Sequence, residues 1–286
     1  MTKVVPFVKY HGQGNDWLVV HERHVPPALA PFAQRFLDRH QGVGADGLIV
    51  VVKPRVRGHD GRIRFFNADG SEAEMSGNGI RCAAAFLLES TPRKRRLEIE
   101  TLAGLRTLEK GKSGDGKWMF RVRMGTPILT PSEIPFRPGE APSPLLRYPL
   151  KTYRGDLPVT VTSMGNPHCS VFVPDFETVD WKRLGQEIEH DSHFPNRTNV
   201  EFVRLVSKDA IEVRFWERGV GHTMSSGTGS CGATVAAILN GLTERRVRVQ
   251  TEAGRLEVAW PINGEVTLTG PVVRVMGGKY LDASPV

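Results

Sequence analysis

The chain has 286 residues, of which 40% are hydrophobic and 24% are charged, and its formal net charge is +7. This composition excludes a coiled coil, a collagen-like chain and a disordered polymer, and it supplies enough apolar mass for a folded core. Three cysteines without a Cys-x-x-Cys pair exclude a disulfide framework and a zinc ribbon, and they favour a reducing, cytoplasmic compartment.

Alternating apolar and polar residues predict strands along most of the chain. In the first half the predicted strands are Val4–Tyr10, Trp17–His21, Leu48–Val52, Arg62–Phe66, Leu97–Thr101 and Trp118–Val122. In the second half they are Val159–Thr162, Cys169–Val173, Val200–Leu205, Ile211–Trp216, Val247–Gln250, Leu256–Trp260 and Glu265–Leu268. The predicted helices are Leu29–His40, Ile80–Leu88, Trp181–Glu189 and Gly232–Leu239. The second and fourth are Ala-rich and apolar on every face, so we expect them to be buried.

The positive charge has no pattern typical of a nucleic-acid-binding protein. The densest basic runs, Arg93–Arg96 and Arg245–Arg248, lie beside turns and lack interleaved aromatic residues, which favours a solvated surface. The N-terminal residues carry Lys3 and Lys9 without the apolar centre of a signal peptide, and no segment is apolar enough to span a membrane. We therefore expect a cytoplasmic protein that binds neither nucleic acid nor a membrane.

A short motif occurs twice, each time before one of the helices predicted to be buried. Ser76-Gly77-Asn78-Gly79 precedes the first helix, and Ser226-Gly227-Thr228-Gly229 precedes the second, 150 residues later. The repeat predicts an α+β protein of two pseudo-symmetric domains, each a curved, mostly antiparallel sheet around one buried helix.

Seven prolines between Pro127 and Pro149 predict a linker near the midpoint of the chain. We therefore expect one domain over residues 1–128 and a second over residues 129–274. The tail 275–286 is a candidate to return to the first domain.

The repeated motif suits an anion. A Ser-Gly-x-Gly turn at the start of a helix exposes unpaired backbone N–H groups and the positive end of the helix dipole. Together these groups favour a carboxylate or a phosphate. Capping alone explains a single copy, because Ser is a favoured N-cap residue. The duplication favours a site in which two helix N-termini hold one small anion.

Other polar turns add amides, a carboxylate and a guanidinium. They are His11–Asp16, Phe66–Ser71, Met164–His168, the strand start at Asn199, and Trp216–Gly219. Arginine binds carboxylates, and Glu and Asn side chains can accept hydrogen bonds from an ammonium group. The set therefore predicts a site for a zwitterionic amino acid.

A series of motifs over nearly the whole chain resembles the diaminopimelate epimerases, cofactor-independent members of the proline racemase-like superfamily. The motifs are Gly14-Asn15-Asp16, Gly44-Ala45-Asp46-Gly47, Asn67–Glu72, Gly77–Cys82, Gly165–His168, Asn199–Phe202, and Glu217–Gly221 leading to Gly227-Thr228-Gly229. The resemblance implies an isomerase that interconverts LL- and meso-diaminopimelate by a two-base mechanism, in lysine biosynthesis. Nothing in the sequence points to pyridoxal phosphate, a metal or a nucleotide. A homodimer is left open.

The resemblance also implies which residues form the site. Substrate would be bound at Asn15, Asn67, Gly77, Asn78, Asn166, Asn199, Glu217, Arg218, Gly227 and Thr228. The family has a catalytic cysteine before each Gly-x-Gly, whereas this chain has Ser76 and Ser226. A serine hydroxyl is far less acidic than a thiol and needs an adjacent base, for which His168 is the candidate with help from Glu217. Cys82 and Cys231 lie deeper in the helices, where we expect them to be packing residues.

Three explanations of the two serines stay open. The first is that the serines were engineered to trap a bound substrate. The second is that they are natural and catalytic with help from His168 and Glu217. The third is that the activity has drifted or been lost. The alternatives to a diaminopimelate epimerase are another racemase, a dehydratase or an isomerase of the superfamily, or a catalytically silent amino-acid-binding homologue. We expect Ser76 and Ser226 to lie on either side of the substrate α-carbon, with binding intact and epimerisation slow or absent.

Overall fold

A computed structural model describes residues 3–112, 117–137 and 143–282 of the chain. The chain forms two compact units, the first from residues 1–122 and 270–286 and the second from residues 123–269. Both units are built mainly of strands, and each contains two α-helices. The paragraphs below treat each unit by itself.

The elements up to residue 125 are eight strands, two α-helices and a short 3-10 helix at Glu22–His24. The helices are α1 (Leu29–Leu37) and α2 (Gly77–Ser90). The strands are β1 (Lys3–Gly12), β2 (Asn15–His21), β3 (Gly47–Val52), β4 (Gly61–Asn67), β5 (Glu72–Ala73), β6 (Arg96–Thr101), β7 (Gly104–Lys110) and β8 (Lys117–Gly125).

The later elements repeat this pattern, with a short 3-10 helix at Phe176–Thr178. The helices are α3 (Trp181–Glu189) and α4 (Gly227–Leu239). The strands are β9 (Tyr148–Thr152), β10 (Gly155–Ser163), β11 (Pro167–Phe172), β12 (Asn199–Ser207), β13 (Ala210–Glu217), β14 (Gly221–Thr223), β15 (Arg246–Thr251), β16 (Gly254–Ala259) and β17 (Val266–Asp282).

Strand pairing is the same in the two units. In the first unit β1–β2, β3–β4, β6–β7 and β7–β8 are antiparallel, whereas β2–β3 and β4–β6 are parallel. In the second unit β10–β11, β12–β13, β15–β16 and β16–β17 are antiparallel, whereas β11–β12 and β13–β15 are parallel. One more antiparallel strand precedes each series, since the end of β17 pairs with β1 and β9 pairs with β10. The expected fold class, two pseudo-symmetric and mostly antiparallel sheets, is confirmed.

Each sheet surrounds one buried helix. Helix α2 contacts β1 to β4, and helix α4 contacts strands from β10 to β16. Their Ala-rich sequences explain this position, because small side chains let neighbouring strands approach the helix closely. The alanines at 83, 84 and 85 of α2 and at 233, 236 and 237 of α4 have no exposed surface. The prediction that both helices are buried is therefore confirmed.

The helix boundaries differ from the predicted ones for identifiable reasons. Helices α2 and α4 begin at Gly77 and Gly227, earlier than predicted, because the glycines of the repeated motif form the first helical turn. Helix α1 ends at Leu37, because the carboxylate of Asp38 accepts hydrogen bonds from the N–H groups of His40 and Gln41 at 2.7 and 2.6 Å. Such local bonds compete with helix continuation.

The proline-rich segment is not an open linker, and that prediction was wrong for the described residues. Ile134, Phe136 and Leu145 are buried in the core of the second unit, and Ile128 forms an isolated antiparallel bridge with Ser163. The proline count indicated irregular backbone correctly, but the apolar residues between the prolines determine where the segment packs. Pro138 and Pro142 lie outside the described residues.

Within the described ranges, no helix has the length and hydrophobicity needed to cross a membrane.

The buried proline-rich segment predicts a stability effect. The Phe136 ring packs against Tyr148, His193 and Phe194 at centroid distances of 5.4, 5.6 and 5.0 Å. We expect Phe136→Ala to lower the free energy of unfolding by about 3 kcal/mol, because the substitution leaves a cavity. Chemical denaturation measures this change. Ile262→Ala is the control, since Ile262 is 72% exposed, and equal unfolding free energies for the two variants would contradict the assignment.

Candidate functional site

The two Ser-Gly-x-Gly segments form matching helix starts. We call Ser76–Gly79 the first loop and Ser226–Gly229 the second loop. Ser76 has φ −132° and ψ 126°, and Ser226 has φ −131° and ψ 128°. Each hydroxyl accepts a hydrogen bond from the N–H group three residues later, at 3.1 Å in the first loop and 3.2 Å in the second. Both serines are therefore N-caps of buried helices.

Close packing explains the last glycine of each loop. A Cβ atom on Gly79 would lie 2.8 Å from the Phe65 ring, and one on Gly229 would lie 2.9 Å from the Phe215 ring. Phe65 is in β4 and Phe215 is in β13, so the corresponding strand of each unit restricts the position of its loop. The glycine lets the first helical turn approach the sheet and leaves its N–H groups as donors for an anion.

The sequence-predicted residues divide between the units, and each group gathers near its own loop. Asn15, Asn67, Ser76, Gly77 and Asn78 are in the first unit, and Asn166, His168, Asn199, Glu217, Arg218, Ser226, Gly227 and Thr228 are in the second. A Cβ atom on Gly12 would lie 3.4 Å from the Cβ of Asn78, which places the turn before Asn15 against the first loop. Asn166 Nδ2 donates to Thr228 Oγ1 at 3.4 Å in the second unit.

His168 is fully buried, and both of its ring nitrogens have partners. Nδ1 lies 2.6 Å from Glu201 Oε1, and Nε2 lies 3.0 Å from the amide oxygen of Asn166. Burial raises the pKa of Glu201, opposed by the charge of His168 and the hydrogen bond with it. The contact between Nε2 and the amide oxygen fixes the orientation of the Asn166 amide. Sequence reasoning proposed a base role for His168 and missed this contact and the partner Glu201.

Glu217 is the acidic group beside Ser226. Its Oε1 accepts a hydrogen bond from Thr223 Oγ1 at 2.7 Å. Burial raises the pKa of the Glu217 carboxyl group, against hydrogen bonds from Thr223 and Ser226 and the charge of His168. A carboxylate whose pKa is raised is a stronger proton acceptor than an ordinary one, and here it lies beside a serine hydroxyl. The geometry therefore gives Glu217 a more direct relation to Ser226 than it gives His168.

A buried carboxylate supports the turn that carries Arg218. Glu189, at the end of α3, accepts hydrogen bonds from Gly219 N and Trp216 Nε1, both at 2.8 Å. The backbone N–H of Arg218 donates to Asn199 Oδ1 at 3.0 Å, and the exposed guanidinium contacts the carbonyl oxygen of Asn196 at 3.3 Å. Sequence reasoning missed Glu189, because only packing brings the end of α3 next to this turn.

Four of the five candidate asparagines have a hydrogen-bonded side-chain oxygen; that of Asn78 accepts from Arg81 Nη2 at 2.6 Å. Asn15 Oδ1 accepts from Trp17 Nε1 at 2.6 Å, and Asn166 and Asn199 accept from His168 and the Arg218 backbone. Each of these amide nitrogens also donates within the protein, to Asp46 Oδ2, Thr228 Oγ1 and Pro167 O respectively. One N–H of each amide is left over, and a donor suits carboxylate oxygens more than an ammonium group. Asn67 donates from Nδ2 to Ser71 Oγ at 2.9 Å, which leaves its amide oxygen as an acceptor in the first unit.

Cys82 and Cys231 are buried in their helices, as predicted, and Cys169 is buried as well. None of the three forms a disulfide. Burial raises the pKa of Cys82 to about 12 and that of Cys169 well above its ordinary value, so neither forms a thiolate near neutral pH. Among the residues that the structure describes, no group of three or more His, Cys, Asp or Glu side chains is placed to hold a metal ion.

Two like units, each with a capped helix start beside asparagine amides, define the fold class of the two-unit racemases and epimerases. Hydroxyproline epimerase from Agrobacterium vitis matches with a TM-score of 0.71 and 15% identity, covering 99% of this chain and 94% of that one. A PhzF-family phenazine biosynthesis protein from Bacillus anthracis matches with a TM-score of 0.68 and 18% identity, covering 97% and 99%.

Sequence comparison identifies the family within this class. The family model described as diaminopimelate epimerase matches residues 7–130 and 160–275. Diaminopimelate epimerases from Halothermothrix orenii and Pelotomaculum thermopropionicum are 43% and 44% identical to this chain. Each alignment covers 96% of this chain, and 97% and 98% of the respective relative. The chain belongs to the diaminopimelate epimerase family and is an isomerase of the epimerase class.

The raised pKa of Glu217 predicts a pH-dependent stability effect. The pKa of Glu217 in the folded protein lies above the ordinary value of 4.5. As the pH rises, Glu217 therefore ionises in the unfolded chain before it ionises in the folded protein. Between the two pKa values, ionisation of Glu217 lowers the free energy of unfolding. We expect the melting temperature of Glu217→Gln minus that of the unmodified protein to rise between about pH 4 and pH 8. Thermal denaturation measures it. The exposed Glu133 supplies the control, Glu133→Gln, whose difference should stay level. A difference for Glu217→Gln that falls with pH would contradict the raised pKa.

Proposed function

We propose that this protein binds diaminopimelate and interconverts its LL and meso forms without a cofactor, in lysine biosynthesis. The observation that carries the proposal is the pair of matching loops, each a capped helix start beside asparagine amides. Family membership supports the substrate, because the relatives at 43% and 44% identity are named diaminopimelate epimerases. The abundance of N–H donors also suits a substrate with two carboxylates.

Each group in the site has a chemical task in this reaction. The backbone N–H groups of Gly77, Asn78, Gly227 and Thr228 hold the α-carboxylate, and the helix dipoles stabilise the charge that it gains when the α-proton leaves. A base removes the α-proton on one face of the carbon, and an acid returns a proton on the other face, which inverts the centre. We assign these two roles to Ser76 and Ser226, the residues that begin the two loops.

The two serines have different surroundings, which makes the two faces unequal. Phe65 and Phe215 pack in the same way on the two loops, and two residues beyond them the strands end at Asn67 and Glu217. The second unit thus has a carboxylate where the first has an amide. Ser226 can pass a proton to Glu217, whereas an amide at the same place cannot accept a proton near neutral pH.

A second candidate function is an amino-acid-binding protein without epimerase activity. The specific observation in its favour is that both hydroxyls accept cap hydrogen bonds and lack the acidity of a thiol. The loops and the amides would bind the same ligand in this case. Binding without proton exchange at the α-carbon distinguishes this function from epimerisation.

Cysteine substitution tests the role of the serines. We expect Ser76→Cys with Ser226→Cys to raise α-proton exchange by about 10²–10⁴-fold, because a thiol at a helix N-terminus is a much better acid–base group. Either single change should raise it less, since each direction needs a base and an acid. Deuterium incorporation into diaminopimelate measures the rate. Ser90→Cys, at the exposed end of α2, is the control. A serine protein already as fast as the double variant would contradict the expectation.

Ligand selectivity tests the substrate. We expect Arg218 to pair with a substrate carboxylate, and Glu217 and the amides to form a distal site for the second amino acid centre of diaminopimelate. Calorimetry should detect diaminopimelate binding, and alanine or proline should bind at least about tenfold more weakly, because each leaves the groups of the distal site unpaired. Lysine lacks the second carboxylate and 2-aminopimelate lacks the second ammonium group, so both should bind with intermediate affinity. Arg218→Gln should reduce the difference between diaminopimelate and lysine. Equal affinity for alanine and diaminopimelate would remove the distal site from the proposal.

The compartment and assembly belong to the same proposal. Three buried cysteines that form no disulfide support a reducing, cytoplasmic location. A homodimer would cover the exposed apolar pair Val4 and Leu281, which face each other across β1 and β17 at 45% and 63% exposure. No partner among nucleic acids is proposed, because the basic side chains of Arg96, Arg246 and Arg248 already pair with carboxylates.

A further inference from the structure

The two units orient one asparagine each by the same kind of contact. In the second unit, a ring nitrogen of His168 faces the amide oxygen of Asn166, two residues earlier, at 3.0 Å. In the first unit, the indole N–H of Trp17 donates to the amide oxygen of Asn15, also two residues earlier, at 2.6 Å. The strand register agrees, because Trp17 pairs with Gly47 and His168 pairs with Asn199 at the start of the parallel pairs β2–β3 and β11–β12. Trp17 is therefore the first-unit counterpart of His168.

The nitrogen of the Asn15 amide is also held. Asn15 Nδ2 donates to Asp46 Oδ2 at 2.9 Å, and Asp46 is the acidic residue of the Gly44–Gly47 motif. Asp46 is fixed in turn by Arg39, whose Nη2 lies 2.7 Å from Asp46 Oδ1 and 2.9 Å from Asp16 Oδ1. Although burial alone would raise it, the pKa of Asp16 falls to about 2 because of hydrogen bonds from Arg39 and Lys9. The network is thus charged at neutral pH.

We propose that Trp17 and Asp46 are positioning residues that turn Asn15 into a pure hydrogen-bond donor for a ligand carboxylate. The amide oxygen is committed to an indole, which can only donate, so the amide cannot flip to present its oxygen. One N–H is committed to Asp46, and a single N–H remains for the ligand. The inference rests on the proposed function, since it assigns Asn15 to a carboxylate of the amino acid.

Packing gives Trp17 a separate structural role, which the test must exclude. Its ring lies edge-on to Phe65 at a centroid distance of 5.7 Å, and a Cβ atom on Gly47 would lie 2.3 Å from it. Trp17→Phe removes the indole N–H and keeps an aromatic ring in the same place. A positioning role requires that the effect on binding pass through Asn15, whereas a packing role does not.

A double-mutant cycle measures this dependence. The variants are Trp17→Phe, Asn15→Ala and the two together, and the readout is the Kd for diaminopimelate by calorimetry. We expect Trp17→Phe to weaken binding by about two- to tenfold, as for the loss of one hydrogen bond, and to have no further effect in the Asn15→Ala background. Trp118→Phe is the matched control, because Trp118 is in β8 and contacts Phe120 and Lys110. Its Kd should not change.

Asp46 supplies a second, independent variant. Asp46→Ala removes the acceptor for Asn15 Nδ2 and should also weaken binding only when Asn15 is present. Asp209→Ala is its control, since Asp209 is an exposed aspartate that pairs with Arg248 at 2.8 Å. Melting temperatures identify any variant that fails to fold. An unchanged Kd in Trp17→Phe, or an equal loss with and without Asn15, would overturn the positioning role.

A measurement without ligand separates this inference from the proposed function. In the ¹⁵N-labelled protein, Trp17→Phe should shift the side-chain amide resonances of Asn15 and speed the exchange of its protons with water, whereas Trp118→Phe should leave them in place. If the unmodified protein fails to bind diaminopimelate but shows these shifts, the proposed substrate is wrong and the positioning contact stands. If the resonances do not respond to Trp17→Phe, the positioning role is wrong whatever the protein binds.

Discussion

The site depends on two helices that begin inside the protein. A helix start leaves N–H groups without intrahelical partners, and burying them unpaired costs free energy. Each unit satisfies one of these groups with a serine hydroxyl and leaves others for a ligand anion. The glycine that follows lets the turn lie against an aromatic ring of the sheet, which fixes where the donors are. The fold thereby places the start of a buried helix at the candidate ligand site of each unit.

Serine at the N-cap serves the helix well and serves proton transfer poorly. The hydroxyl is a good acceptor for the N–H three residues on, so replacing a thiol with serine preserves the loop geometry. Its own proton is far less acidic than that of a thiol. The low acidity of serine affects the two units differently. Glu217 bonds Ser226 in the second unit, whereas Asn67 is at the corresponding strand end in the first. In the proposed function, binding and chemistry are therefore separable: the loop backbone and the amides bind the ligand, and the serines with Glu217 determine proton transfer.

The polarity of the site comes from contacts behind the ligand-binding groups. An asparagine can donate or accept, and its neighbours decide which. Trp17, His168 and the backbone of Arg218 each engage an amide oxygen, so Asn15, Asn166 and Asn199 all present donors. Glu189 and Asp46 also act indirectly. Glu189 fixes the turn that carries Arg218, and Asp46 fixes the amide of Asn15. In the proposed function, these contacts preorganise the amides for carboxylates.

The sequence by itself determined the repeat, the buried Ala-rich helices, most strands and the family, because these depend on local periodicity and on motifs within a few residues of each other. It also indicated the two serines and the amides as site residues. Only the tertiary structure decided that the proline-rich segment packs in a core, that β7 and β9 form, and that Glu217 rather than His168 bonds Ser226. It alone revealed Trp17, Asp46 and Glu189 as supporting residues. Hydrogen bonds between Asn15 and Asp46 or Glu189 and Gly219 join residues about 30 positions apart, and no local pattern encodes which side chains the fold brings within 3 Å of each other.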